Sequence, residues 1–276
     1  MLPTPSTSHV NYDHVYEPAE DSYLFLDTLS STSETKWLQS RFETALQSST
    51  SKPSRPTPAP LVVEIGPGSG VIIAFLTCNA KTIIGTHVLS MAIDVNVHAC
   101  HATTTTVEKA LVETNSSPRS NSNSNSNHSL YLSSVRCDLT SALTANSVDI
   151  LIFNPPYVPS DSVPSIVFPS SSSTPSFEES SHLLAQSYAG GHDGMQVTNR
   201  LLDQIPSVLS LRGVAYVLFC RGNRPDEVKE SILKWPSTEG NDSVNPWHWC
   251  AETVGSSGKK AGWEKLEIVR IWREFD

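Results

Sequence analysis

A chain of 276 residues is long enough for one large domain or two small ones, and its hydrophobic share of 38%, with 13 glycines added, falls slightly short of an ordinary globular domain. Some of the chain is therefore not core. The formal charge of −9 repels phosphate backbones, whose binding rests on clustered Lys and Arg, and so disfavours a general nucleic-acid binder.

In chain order, residues 1–14 are expected to be a flexible N-terminus with no basic stretch leading into an apolar run. No later segment reaches the roughly 18 apolar residues of a membrane span, so a soluble intracellular protein is expected. Residues 15–276 read as one domain. A helix fits Pro18 to Ser30, then a Ser/Thr/Pro-rich loop runs over 48–60. The first strand, Leu61 to Ile65, ends at Gly66, and a helix begins near Val71. A strand at His87 to Asp94 and a helix at Asn96 to Glu113 follow, before a Ser/Asn-rich loop at 115–129. Strands at Leu130 to Val135 and Val148 to Phe153 come next, then a Ser/Pro loop at 158–181. A helix is expected at Gly194 to Leu209, a strand at Gly213 to Cys220 and a helix at Pro225 to Trp235. A further low-complexity loop, about 237–262, overlaps the first of two last strands, Trp249 to Val254 and Leu266 to Trp272. The polar stretches lack the apolar surface that would offset the entropy of ordering, so they read as insertions. What they interrupt is an α/β series: a doubly wound, seven-stranded, mostly parallel sheet, whose ligands bind beyond the carboxyl ends of the strands.

Glu64-Ile65-Gly66-Pro67-Gly68-Ser69-Gly70 stands at such a strand end, where Gly66, Gly68 and Gly70 let the backbone turn tightly and approach a ligand. It is not the G-x-G-x-x-G of dinucleotide sites. Glu64 would repel a pyrophosphate and suits an ammonium group, although the loop alone also fits a plain strand-to-helix turn. Asp94 ends the next strand, at the distance where an acid meets ribose hydroxyls; capping the helix from Asn96 is a compatible second role. Asp138 and Leu139, after the third strand, are placed to hold an adenine amino group and to lie beside the ring.

The most informative stretch is Ile150 to Tyr157, an apolar strand that stops in Asn154-Pro155-Pro156-Tyr157. Neither proline has an N–H, so the turn presents acceptors and a ring. The Asn154 side-chain oxygen and the Pro155 carbonyl can take both hydrogens of a planar NH2 group, with Tyr157 packed on its plane. Asp193-Gly194-Met195-Gln196 reads as a capping box. His98 and His101, one turn apart without other ligands, read as a solvated helix face, and no metal site is expected. Trp247-His248-Trp249 reads as packing around the last strands. Five scattered cysteines without a C-x-x-C pair define neither a disulfide framework nor a zinc knuckle.

With these motifs in order, the chain resembles the HemK-type class I methyltransferases, and within them the eukaryotic branch that modifies the glutamine of the GGQ motif in the class 1 translation release factor. The residues that carry the likeness are Val15-Tyr16-Glu17-Pro18-Ala19-Glu20-Asp21-Ser22, the glycine loop, Asn154 to Tyr157, and Tyr188-Ala189-Gly190-Gly191-His192-Asp193-Gly194. Ser22 replaces a threonine common in relatives and keeps the hydroxyl. The resemblance implies S-adenosylmethionine as methyl donor, held by Tyr16, Asp21, Ser22, Glu64, Gly66, Gly68, Gly70, Asp94, Val95, Asp138, Leu139 and Asn154. It implies glutamine N-methylation, with Asn154, Pro155, Pro156 and Tyr157 at the reacting amide and catalysis by position and electrostatics. The alternatives are the exocyclic amine of adenine in nucleic acid, a protein lysine, or a non-catalytic binding role. Bacterial relatives carry a separate N-terminal substrate-binding domain, for which this chain has little room. The eukaryotic branch instead uses a small zinc-binding activator subunit. The resemblance implies that Leu130 to Val135 form an open sheet edge, which a heterodimer partner could extend; the helix from Asn96, with Val97, Ala102, Val107, Ala110 and Leu111, either extends an apolar surface beside it or buries that face inside the domain. A cytoplasmic location, with the nucleus as an alternative, is expected.

Overall fold

Among residues 2–42, 58–116, 129–166, 176–237, 246–257 and 265–275, which this computed structural model describes, the chain alternates helices and strands. In order they are α1 (Glu20–Leu29), α2 (Thr32–Phe42), β1 (Leu61–Ile65), α3 (Val71–Ile83), β2 (Leu89–Asp94), α4 (Val97–Ser116), β3 (Leu130–Arg136), β4 (Val148–Phe153), β5 (Val158–Pro159), α5 (Phe177–Tyr188), β6 (Ala189–Gly191), α6 (Gln196–Leu202), α7 (Ile205–Val208), β7 (Leu209–Cys220), α8 (Pro225–Ile232), β8 (Trp247–Ser256) and β9 (Leu266–Phe275).

Seven strands form one sheet in the order β3-β2-β1-β4-β7-β9-β8. The pairs from β3 to β7 are parallel, and β9 runs antiparallel to both neighbours. Every residue of β4 is buried, as a parallel strand covered on both faces requires. Side chains alternate between two cores. Val62, Ile150, Ile152, Tyr216 and Leu218 meet α1, α2 and α3 on one face. Val63, Leu151, Ala215 and Val217 meet α6, α7 and α8 on the other. Register then places the site: Ile65 pairs with Ile93 on one side and Phe153 on the other. Gly66, Asp94 and Asn154 consequently lie side by side at the carboxyl end of the sheet, Asp94 as the last residue of β2 and still paired with Arg136 of β3.

Several boundaries differ from the sequence reading. Residues 2–14 are not a loose tail: Val10 and Val15 are buried with Ala99, and the His9 ring contacts the Ala102 carbonyl and Thr106 hydroxyl of α4. Helix α2 has no counterpart in that reading. Its composition is polar, but Leu38 and Phe42 are buried, and its buried Glu34 takes two hydrogen bonds from Arg270 of β9, both at 2.9 Å. The single helix expected at 194–209 is two short ones, separated before Pro206, and β7 begins at Leu209. The loops at 158–181 and 237–262 contain structure: β5 pairs with β6, α5 starts at Phe177 behind a Ser176–Glu179 capping box, and β8 occupies 247–256. Most of the expected loops at 48–60 and 115–129 lies outside the described residues.

Gly70 is the N-cap of α3, with φ of 78°. A Cβ there would stand 2.6 Å from the Thr103 Cα of α4, so its absence lets α3 and α4 close together. Gly70→Ala adds both backbone strain and overpacking and is expected to destabilise the fold by about 1–3 kcal/mol, measured by urea denaturation.

Candidate active site

The strand ends that register brings together line a cavity of about 370 Å3, within the size range of small-molecule sites. Glu64, near the end of β1, is 1% exposed, and its Oε2 accepts a hydrogen bond from the Ile73 N–H at 2.8 Å. Burial pushes its carboxyl well above the usual carboxylate range. Asp94 accepts from the Gly68 N–H at 3.4 Å and the Asn96 N–H at 2.8 Å. Burial outweighs these bonds and pushes it up to about 6. Neither group has an ion-pair partner among the described residues. The pair is thus poised to accept positive charge or hydroxyl donors.

The capping role considered for Asp94 falls to its neighbour. Asn96 Oδ1 accepts from the His98 N–H at 2.9 Å at the start of α4, while its Nδ2 donates to the His14 carbonyl at 2.8 Å. Asn96 thereby ties the N-terminal segment across the cavity, where His14, Val15 and Tyr16 form part of the wall. Asp21, buried at the start of α1, accepts from the Ser22 N–H and hydroxyl at 2.6 and 3.2 Å. Burial and the Asp21 carboxylate push Tyr16 up to about 12, so its phenol remains a donor at neutral pH. His98 is no free solvated ring, since it packs on His14 with centroids 4.8 Å apart.

Tyr16, Asp21, Ser22, Glu64, Gly66, Gly68, Asp94, Val95, Asp138, Leu139, Asn154, Pro155 and Pro156 all line this cavity. Two expected members do not. Gly70 serves the α3–α4 contact instead. Tyr157 packs against the core on the α1–α3 face, and its carbonyl accepts from Asn223 Nδ2 at 3.3 Å. Asp138 lines the cavity with its carboxylate already paired to Arg200 of α6. Asp193 does not cap α6: it adopts a left-handed conformation, φ 54°, and pairs with Arg224 at 2.9 Å. Arg200 and a roof formed by Val163, Pro164, Ile166 and residues of α5 were not anticipated. The Ser/Pro composition of 158–181 hid the few apolar residues that turn inward, and Arg200 belongs to no motif.

The turn after β4 holds the least ordinary feature. Asn154 Oδ1 is buried with no hydrogen-bond partner among the described residues. An orphaned buried acceptor costs about 1–3 kcal/mol, so a site that keeps one is prepared for a donor from outside the chain. The remaining donor set fits S-adenosylmethionine. Glu64 and Asp21 suit its ammonium group, Asp94 suits ribose hydroxyls, and Ile93, Leu139, Phe153 and Val197 provide apolar walls for a ring.

No protein-family model matches the chain. It is 30% identical over 279 residues to the eRF1 methyltransferase catalytic subunit mtq2 of Schizosaccharomyces pombe, covering 99% of this chain and 96% of that one. It is 28% identical over 274 residues to methyltransferase HEMK2 of Homo sapiens, covering 97% and 95%. A putative protein N5-glutamine methyltransferase of Methanocaldococcus jannaschii is 25% identical over 263 residues, covering 95% and 93%.

Asp94 fixes two expectations about pH. Its folded value of about 6 exceeds the ordinary 3.8, so the folded state binds the extra proton and ligand-free stability falls as pH rises from about 3.8 to 6. Hydroxyl donors and positive charge favour the ionised form. Affinity for S-adenosylmethionine should therefore weaken below pH 6, by up to about tenfold per pH unit, in calorimetric titrations. Asp94→Ala should weaken binding by about 1–3 kcal/mol and remove the Asp94 share of that pH dependence, leaving the share of Glu64, whose carboxyl burial also raises.

Proposed function

The chain belongs to the HEMK2 and mtq2 family of S-adenosylmethionine-dependent methyltransferases, and from that membership we propose that it methylates the side-chain amide nitrogen of the GGQ glutamine in the class 1 translation release factor. The observation that carries this reading is the unpartnered Asn154 Oδ1. A primary amide offers two N–H donors in one plane. Asn154 Oδ1 and the Pro155 carbonyl are the acceptors for them, and the missing N–H of each proline keeps competing donors out of the turn.

An amide nitrogen is a weak nucleophile because its lone pair is delocalised into the carbonyl. S-adenosylmethionine supplies an electrophilic methyl group when bound. The chain's part is to hold the amide flat and to place acceptor dipoles where positive charge grows on the nitrogen, a stabilisation available without reorganisation. Neither acceptor titrates, so the amide proton leaves to solvent. The adenine alternative is disfavoured by the charge of −9. A cationic lysine would have to lose a proton before it fitted the same pair of acceptors.

The fission-yeast relative is named as a catalytic subunit, which supports a partner subunit here as well. We assign that partner, a small zinc-binding activator, to the edge strand β3, where Leu130 is 55% exposed and Leu132 is 49% exposed. An edge with bare backbone groups and apolar side chains is a template for strand addition. Val107 and Ala110 of α4 are buried within the domain and do not extend this surface. Action on a translation release factor supports a cytoplasmic location, with the nucleus as the alternative.

Incubation with tritiated methyl donor should label intact release factor and leave unlabelled the same factor with its GGQ glutamine replaced; equal labelling of both would overturn the substrate assignment. Asn154→Ala should bind cofactor normally yet lose methyl transfer by about 100-fold or more. Leu132→Lys should abolish co-purification with the partner while leaving the isolated domain folded. A chain that is fully active alone and indifferent to that change would refute the partner assignment.

A further inference from the structure

Asn223 lies outside the cavity wall, in the turn between β7 and α8, and is 4% exposed. Its whole amide is engaged. Oδ1 accepts from the Cys220 N–H at 2.8 Å. Nδ2 donates to the Asp193 carbonyl at 2.9 Å and to the Tyr157 carbonyl at 3.3 Å. One side chain thus joins three segments that are remote in sequence: the end of β7, the 190–194 loop, and the turn that carries Asn154 and Pro155.

The surroundings have little freedom to adjust. A Cβ on Gly190 would stand 2.3 Å from the Pro156 carbonyl oxygen, and one on Gly194 would stand 2.0 Å from that of Tyr157. The 190–194 loop is therefore moulded against the backbone of the turn. Asp193 and Arg224 both hold left-handed conformations, with φ of 54° and 53°, and form an ion pair at 2.9 Å. Strained residues of this kind persist only where neighbouring structure over-determines them.

Resting on the glutamine reading above, we infer that Asn223 is a positioning residue for methyl transfer: by fixing the Tyr157 carbonyl, it sets the direction in which Asn154 Oδ1 and the Pro155 carbonyl present themselves to the target amide. Asn154 Oδ1 has no hydrogen-bond partner among the described residues to hold it, so its aim depends on the backbone of its turn. That turn leaves the sheet after Phe153. Asn223 is one of the groups that hold it again at Tyr157.

Two variants test this, in the chain co-expressed with its partner subunit and assayed on intact release factor. Asn223→Ala removes the hold. It should lower kcat about 10- to 100-fold, with cofactor affinity and KM for release factor nearly unchanged. Asn223→Asp keeps the shape but turns a carboxylate oxygen toward two carbonyls. Its acid form can donate a hydrogen bond where Nδ2 did, so its kcat relative to wild type should recover as pH falls. The charged or titratable groups around the position are Cys220, His192, Asp193, Arg224 and Glu227, and taking the ratio to wild type cancels their common effect. Wild-type kcat in both variants, or loss of cofactor binding and melting temperature in parallel with activity, would overturn the inference. If the alanine variant does not fold, the pH-dependent ratio of the isosteric variant decides alone. Asn154→Ala, run alongside, separates the two readings: full activity there refutes the acceptor mechanism itself, whereas its loss beside active Asn223 variants refutes only the positioning role.

Discussion

Two carboxylates that face no cation organise this molecule. Glu64 is buried and Asp94 half-buried at the ends of adjacent strands, and they hold the start of α3 and the glycine loop through backbone N–H groups. Removing a carboxylate from water without a counter-charge is expensive, and the upward displacement of both groups expresses that expense. The cavity is consequently a place where a cationic, hydroxyl-bearing ligand relieves an unfavourable arrangement already present in the fold. Opposite them, Asn154 contributes the same logic in neutral form, an acceptor without a donor. Cofactor end and substrate end are both under-satisfied, and the two together specify what enters.

The parts of this site that are legible in the sequence are those in which one short segment contains its own reason. Glu64 to Gly70 announces a strand end and a tight turn, and Asn154 to Tyr157 announces a stiffened loop of acceptors. The register that joins them follows from parallel pairing, so the cavity's floor could be placed from strand ends alone. What escaped depends on partners distant in the chain. Gly70 matters through Thr103, and Asp138 carries an ion pair with Arg200, 62 residues away. Helix α2 lacks a broad apolar stripe, and its buried Glu34 makes sense only beside Arg270, 236 residues later. The cavity-lining residues Val163, Pro164 and Ile166 are scattered through a segment whose composition otherwise describes an insertion. Tyr157 differs for a related reason: the motif fixes its backbone, whereas tertiary packing sets its half-buried side chain against the core.

The far side of the sheet is built on different terms. There the Glu34 carboxylate receives Arg270 and the Tyr216 hydroxyl, while Trp37 lies 4.0 Å from the Arg270 guanidinium and Trp272 lies 4.6 Å from it. Charge meets counter-charge and ring faces inside the chain, with only the Arg270 Nε–H of this cluster left without an acceptor among the described residues. Desolvated charge is satisfied on one side of the molecule and left waiting on the other, which distinguishes scaffold from site.

Strand β9 lies inside the sheet, between β7 and β8, although it follows both in sequence. During synthesis β7 can pair with β4 while its other edge stays bare, because β8 meets the sheet only through β9. Over the same interval Glu34 on α2 has no Arg270. A nascent chain halted before Leu266 thus carries an exposed apolar strand edge together with a carboxylate deprived of its buried counter-charge, where the loss of one member of such a pair costs about 3–5 kcal/mol. The domain cannot close progressively from its N-terminus as it leaves the ribosome; it closes when β9 arrives, and a quality-control protease would meet a prematurely ended chain with its central sheet still open.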